Sequence, residues 1–456
     1  MTPAGALLIA FTHVTVIDGT GRPPQPDMTV IVRDGRIAAV GPSARTAPPP
    51  GARVVDGRGR FVIPGLWDMH VHLQLGDTDR MMALFVANGV LGVRDTAAAA
   101  EKVFAWREEV ASGRRLGPRI VAGGPQLDGP DPPLPEIALS VRDAREARAA
   151  VERLQKLGAD FVKVHDGVPR EAYFAVADEA RQRGLPFVGH VPPAVTAFEA
   201  AEAGQKSIEH LAGVIQSLSE KEDEIRAMTF PPPRPGDFSA IPARLAIRGN
   251  LALDTQDPDR LLRLSALFVR KGVWQVPTLV NGRSRAFIDE LAAARDDRLR
   301  FASARTRERW KPENDFFARY RTPEYIAYIK RDFRRRLEVI GEMRRRGVRI
   351  LAGTDVPAPY LYAGFSLHDE LALLVEAGLS PMEALQAATS GPAEFLGLSK
   401  DEGTVEAGKV ANLVVLTADP LQDIRNVGRI ESVVMRGRLI DPAERRRMLK
   451  AAEPEP

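Results

Sequence analysis

The chain has 456 residues, 44% of them hydrophobic, enough to bury one large core and a smaller second one. Its 63 basic residues nearly cancel 60 acidic ones, and the formal charge of +3 is no footprint for nucleic acid. Cysteine is absent, which excludes disulfides and thiolate chemistry.

Met1 to Ile9 carries no basic n-region and runs straight into the strand-like Phe11 to Ile17, so no signal peptide is expected. No window approaches ~18 uninterrupted apolar residues; no membrane span is expected, and the default address is the cytoplasm. Short strands follow at His13 to Ile17, Met28 to Val32 and Arg36 to Val40, with Asp34-Gly35 as a hairpin turn. The same texture returns in Ala411 to Leu416 and Ile430 to Met435. The two ends, residues 1–61 and 403–456, are therefore predicted to meet in one small β-sandwich domain.

Between them, short apolar runs alternate with helical stretches, the pattern of βα units and a parallel sheet. Candidate strands are Val62 to His72, Val90 to Asp95, Arg119 to Ala122, Phe161 to Val164, Phe187 to His190, Ser207 to His210, Val273 to Thr278 and Val348 to Thr354. Eight such strands predict a (β/α)8 TIM barrel over residues 62–402. A lid-like insertion is expected at about residues 218–270, where Phe230-Pro231-Pro232-Pro233 and Pro235-Gly236-Asp237 are too proline-rich for a simple connection. Phe238 and Tyr320 are aromatic candidates for the mouth or the core. The arginines crowded between Arg295 and Arg349 are interrupted by acids and aromatics and read as a solvated helical surface. Ser366 with Asp369, and Ser380-Pro381 with Glu383, have the spacing of capping boxes.

The chemistry gathers at the predicted strand ends. His70-Val71-His72 places two imidazoles on one face of a strand, where both can reach one cation. Lys163, His190, His210 and Asp355 fall at other strand ends, which in a barrel face one mouth. Each alone has a plainer reading: a hydrogen-bonded core histidine, a snorkelling lysine, a turn or N-cap aspartate. Four of only seven histidines at such positions favour a shared metal site. His165, two residues beyond Lys163, shares its face and is a candidate for substrate contact. His368 could touch the cleft or a neighbouring subunit, and His13 belongs to the terminal strands.

His70-x-His72, Lys163, His190, Ser207-Ile208-Glu209-His210 and Gly353-Thr354-Asp355 together resemble the amidohydrolase superfamily, in its branch of imidazolonepropionase-like enzymes and Xaa-Pro or carboxypeptidase-type dipeptidases. The resemblance extends through Ser366-Leu367-His368-Asp369-Glu370-Leu371 and Gly403-Thr404-Val405 to Leu416. It implies a binuclear site in which His70, His72 and Asp355 hold the more buried ion and His190 and His210 the more exposed one. Lys163, carboxylated by CO2, would bridge them. Zinc is the implied metal, although the ligand types also suit manganese, cobalt or nickel. The implied chemistry is attack by a metal-activated hydroxide on an amide of an N-acyl amino acid or dipeptide-like small molecule, with Asp355 moving the proton. A homo-oligomer is implied as well.

The chain departs from its dipeptidase relatives at His190-Val191-Pro192-Pro193, where they often carry His-Ala-His or His-Ala-Tyr, so the resemblance does not carry over their recognition of a substrate carboxylate, while the implied metal site is untouched. Esterase, lactonase or phosphotriesterase chemistry would use the same site. A non-catalytic scaffold is the third reading, against which every assignable ligand position is filled.

Overall fold

The computed structural model describes residues 8–228, 239–315 and 318–454. Phe230 to Asp237 and Phe238, the proline-rich part of the expected lid, lie outside them. The fold is α/β, with three hydrogen-bonded sheets among the described residues.

Strands from near the two ends of the chain share a sheet. Leu413–Leu416 pairs antiparallel with Phe61–Pro64, which runs parallel to Leu8–Val16. Around this seam the strands assigned to a sandwich are bonded into one eight-stranded sheet. Period-two alternation buries both faces of the seam: Leu413 and Val415 join Phe11, Val30 and Val62 in a small core, while Val414 and Leu416 pack into the main one. That main core couples the terminal sheet to the rest of the chain.

Two sheets of parallel strands form the middle. Leu66–Val71, Val90–Asp95 and Arg119–Ala122 make one, and six strands from Gln126–Asp128 to Trp274–Val276 make the other. Val62 to His72 is thus two strands, Phe61–Pro64 in the terminal sheet and Leu66–Val71 in a parallel one. Gln126–Asp128 and Ala138–Ser140 are strands that the sequence pattern does not show, being three residues each among glycines and prolines.

Among the described residues the expected eighth strand, Val348 to Thr354, forms no ladder: Ile350 makes an isolated parallel bridge with Gln275, and Val356, just beyond it, another with Val71. Its backbone nevertheless bonds to both parallel sheets: Leu351 N donates to Gln275 O at 2.9 Å, Met69 N to Ala352 O at 2.9 Å, and Asp355 N to His70 O at 2.7 Å. Regular pairing stops because Asp355 takes a left-handed conformation, φ +65°. Gly353 is needed just before it: a Cβ there would lie 2.9 Å from His70 Cβ and 2.7 Å from Val276 Cγ1.

Of the two capping boxes, Ser380 holds. Its Oγ accepts Glu383 N, and Glu383 reaches back to Ser380 N, at the start of Pro381–Ala387. Ser366 does not cap. Phe365–Glu376 begins one residue earlier, after Gly364, and Ser366 Oγ accepts Tyr362 N inside it. Among the described residues no helix is long and apolar enough to cross a membrane.

Candidate metal centre

Parallel strands deliver their C-terminal ends to one side, and the candidate imidazoles arrive there as a row. Ring centroids are 5.2 Å apart for His72 and His70, 4.5 Å for His70 and His210, 4.9 Å for His210 and His190, and 4.5 Å for His190 and His165. Asp355 faces the first of them, with Oδ1 3.0 Å from His72 Nε2 and 3.4 Å from His70 Nε2. His70, His210 and Asp355 each offer a donor atom within 4.8 Å of the others, and so do His165, Asp166 and His190. The six sequence candidates and His165 are therefore brought to one region.

Behind the inner group stands a buried charge network. Glu209 lies two residues after Ser207 on one strand, and Arg94 reaches it from Val90–Asp95 with Nη2 2.8 and 2.9 Å from the two carboxylate oxygens. Ser207 Oγ donates to Glu209 Oε1 at 2.6 Å, and Arg94 Nε to Met69 O at 2.7 Å. The carboxylate then meets His70 Nδ1 at 2.8 Å, all three charged or titratable side chains being 0% exposed. Burial opposes ionisation of Glu209, but Arg94 and His70 hold its carboxyl well below the usual range. Burial and the neighbouring Lys163 push His70 down to about 3, so its ring is neutral, the form that ligates. Its Nε2 is buried without a hydrogen-bond partner among the described residues.

Asp355 is held from the other side. Asn281 Nδ2 donates to its Oδ2, and Arg285 Nε donates to Asn281 Oδ1 at 3.1 Å. Burial would raise the Asp355 carboxyl; the neighbouring His210, the hydrogen bond from His72 and the nearby His70 keep it well below the usual range. His210 Nδ1 pairs with Thr278 Oγ1 at 2.6 Å, and Arg336 donates to His210 O. His210, Thr278 and Asp355 all have positive φ, a concentration of unfavourable backbone where the polar groups converge.

Lys163, 1% exposed, is near enough to both groups to feel the charges of Asp355 and Asp166. Burial lowers its amine to about 8, and the charges of Glu209, Asp355 and Asp166 all act on it. His190, pushed down by burial to about 4, has Nδ1 2.8 Å from Asp166 Oδ1.

Residues 61–440 match the sequence model of the Amidohydrolase family. The chain belongs to that family. Along nearly its whole length it is similar to the imidazolonepropionase of Symbiobacterium thermophilum, 27% identical over 96% of this chain and 98% of the relative. A short stretch of 51 residues is 49% identical to the adenine deaminase of Paracoccus denitrificans; it is 11% of this chain and 8% of that enzyme. Among solved structures, bottromycin amidohydrolase superposes with a TM-score of 0.73 at 24% identity, covering 98% of this chain and 91% of that one. A Xaa-Pro dipeptidase with methionine bound in its active site gives 0.69 at 20% identity, covering 95% and 100%. Both likenesses show the fold.

In this amidohydrolase several contributors carry no role in the sequence reading. Arg94 has a visible signal, a charged side chain in the apolar run Val90-Leu91-Gly92-Val93. Glu209 stands inside Ser207-Ile208-Glu209-His210, but its partnership with Arg94 links residues 115 positions apart. Thr278, Asn281, Asp128 and Asp166 sit at element ends, where no periodicity marks them. His368 is bonded through Nε2 to Asn88 O at 3.0 Å, outside the row of imidazoles, and His13 pairs with Asp27. Tyr320 lies in the short turn Ala318–Tyr320.

Proposed function

We propose that this amidohydrolase is a metal-dependent hydrolase of a carbon–nitrogen bond, cleaving the amide of an N-acyl amino acid or dipeptide-like small molecule, on a closed (β/α)8 barrel. The backbone bonds of residues 349–356 to both parallel sheets support closure of the barrel. The observation that carries the activity is the convergence of His70, His72, His210 and Asp355 on one point, with a buried His70 Nε2 that faces Asp355 and makes no hydrogen bond among the described residues.

Those residues fit divalent cations. A neutral imidazole with its Nδ1 fixed by a buried carboxylate, and an ionised carboxylate facing it, form a nitrogen and oxygen donor set suited to zinc. His70, His72, Lys163, His190, His210 and Asp355 are the proposed ligands. When bound, the ions would supply Lewis-acid polarisation of a carbonyl and of water. Lys163 would take part as a carbamate: its neutral amine forms an N–C bond to CO2 and releases one proton. Burial of the amine favours that neutral form.

The rest is the work of side chains. Asp355, kept ionised by its histidine neighbours and oriented by Asn281, is placed to accept the proton of the attacking water and return it to the leaving nitrogen. Glu209 and Arg94 fix the His70 ring, and Thr278 fixes that of His210.

Purified protein, analysed for metal and offered N-acyl amino acids, Xaa-Pro dipeptides, lactones and aryl phosphate triesters, tests this reading. Zinc at two equivalents with fastest turnover of an amide is expected. Metal-free native protein, or a lactone or phosphotriester as the preferred substrate, overturns it.

A further inference from the structure

The helix Leu279–Ala286 follows the strand end at Val276, and its turns are fastened down around Asp355. Glu370 accepts Leu279 N and Val280 N at 3.0 and 2.7 Å, and Asn281 Nδ2 donates to Asp355 Oδ2. Ser284 Oγ donates to Pro359 O, in the segment that follows Asp355. A side chain mounted on this helix is therefore held in register with Asp355.

Arg285 is mounted one turn beyond Asn281. Its Nε donates to Asn281 Oδ1 at 3.1 Å, so its guanidinium is joined to the Asp355 carboxylate through a single intervening side chain. Asn281 is 5% exposed whereas Arg285 is exposed, so the arginine runs from the sealed site to the solvent side of the mouth. Tyr325, 8% exposed near the start of Pro323–Arg345, stands close by: burial raises its hydroxyl, and the positive charges of Arg285 and Arg321 act against that rise. The acids around it have partners of their own. Asp332 holds Arg336 Nε at 2.5 Å, Asp289 holds Arg321 Nη2 at 2.8 Å, and Asp315 accepts Ala318 N at 2.7 Å.

Asp355 is the group placed to return a proton to the leaving nitrogen, so the flank that carries Asn281 and Arg285 belongs to the leaving group. In an N-acyl amino acid the carboxylate stands next but one to that nitrogen along the chain. Beside an ionised Asp355 it would be repelled unless a cation stood there too. A guanidinium is charged at every working pH and presents a planar fork that matches a carboxylate.

We propose that Arg285 is the specificity-determining residue of this amidohydrolase, its guanidinium holding the α-carboxylate of the amino acid that leaves. The proposal rests on the hydrolase reading above and narrows its substrate to an N-acyl amino acid or dipeptide with a free carboxylate on the leaving side.

Steady-state kinetics on the metal-loaded full chain, with a panel of N-acetyl amino acids and their carboxamides followed by acetate release, tests it. Asn281 and Asp355 serve both members of a pair, so the ratio of the two kcat/KM values isolates the contact with the carboxylate. The parent is expected to favour the acid by about tenfold or more, mainly through KM. Arg285→Met should bring the ratio near unity, and Arg285→Lys to a value between. A parent that shows no preference for the acid, or an Arg285→Met variant that keeps it, overturns the assignment while amide hydrolysis stands. A parent that releases acetate from neither member of any pair overturns the hydrolase reading as well.

Discussion

The inner and outer halves of the imidazole row use similar parts in different surroundings. His70 has Glu209 behind it and Arg94 behind that, all at 0% exposure, whereas His165 has Asp128 behind it but stands 23% exposed beside the open Asp166. In the first case the ring is fixed by a dry chain of opposite charges whose mutual attraction is barely screened. In the second, solvent screens the front of the site and only the rear carboxylate is sealed. The inner half is thus a sealed charge network, and the outer half one that solvent reaches.

The largest effect that sharpens this contrast is on turnover. Asp355→Asn should lower kcat by roughly 10²–10⁴-fold, the range for a lost general acid–base group, with the fold intact. Steady-state kinetics on protein of verified metal content would check this, and retention of most activity would remove Asp355 from its role. Next is stability. Arg94→Met strands the Glu209 carboxylate in the core, and a loss of about 3–5 kcal/mol is expected by urea denaturation, against much less for Arg170→Met at the exposed Glu199 pair. Thr278→Val removes the partner of His210 Nδ1 and should weaken metal binding by about tenfold, read by chelator competition.

The smallest effect concerns Glu370, whose buried carboxyl caps Leu279 N and Val280 N, next to Thr278. Burial raises it to about 8. A carboxyl whose folded value lies above its unfolded one binds protons more tightly in the native state, so its contribution to stability is full below the unfolded value and declines as pH rises towards about 8. Denaturation midpoints from about pH 5 to 8 should therefore fall less steeply for Glu370→Gln than for the parent; an identical slope would show that Glu370 does not titrate in this window.

Much of this molecule was legible beforehand because its signals are local. Val90–Asp95 and Arg119–Ala122 are strands at the predicted bounds, since each is a short, mostly apolar run between helical stretches. The Ser380 cap was readable because all its partners lie within four residues. The Ser366 cap was not, because Gly364 had already turned the chain into the helix. Val348 to Thr354 looked like a strand by composition, yet close approach to His70 at Gly353 and the left-handed Asp355 limit its pairing to bridges.

By itself the sequence determined the α/β alternation and singled out the imidazoles, lysine and aspartate as candidates, because spacing along a strand fixes which side chains share a face. Tertiary structure alone decided which carboxylate stands behind which ring. Glu209 reaches His70 across 139 positions and Asp128 reaches His165 across 37, distances at which chain connectivity imposes no pairing and only the packing of strands side by side does.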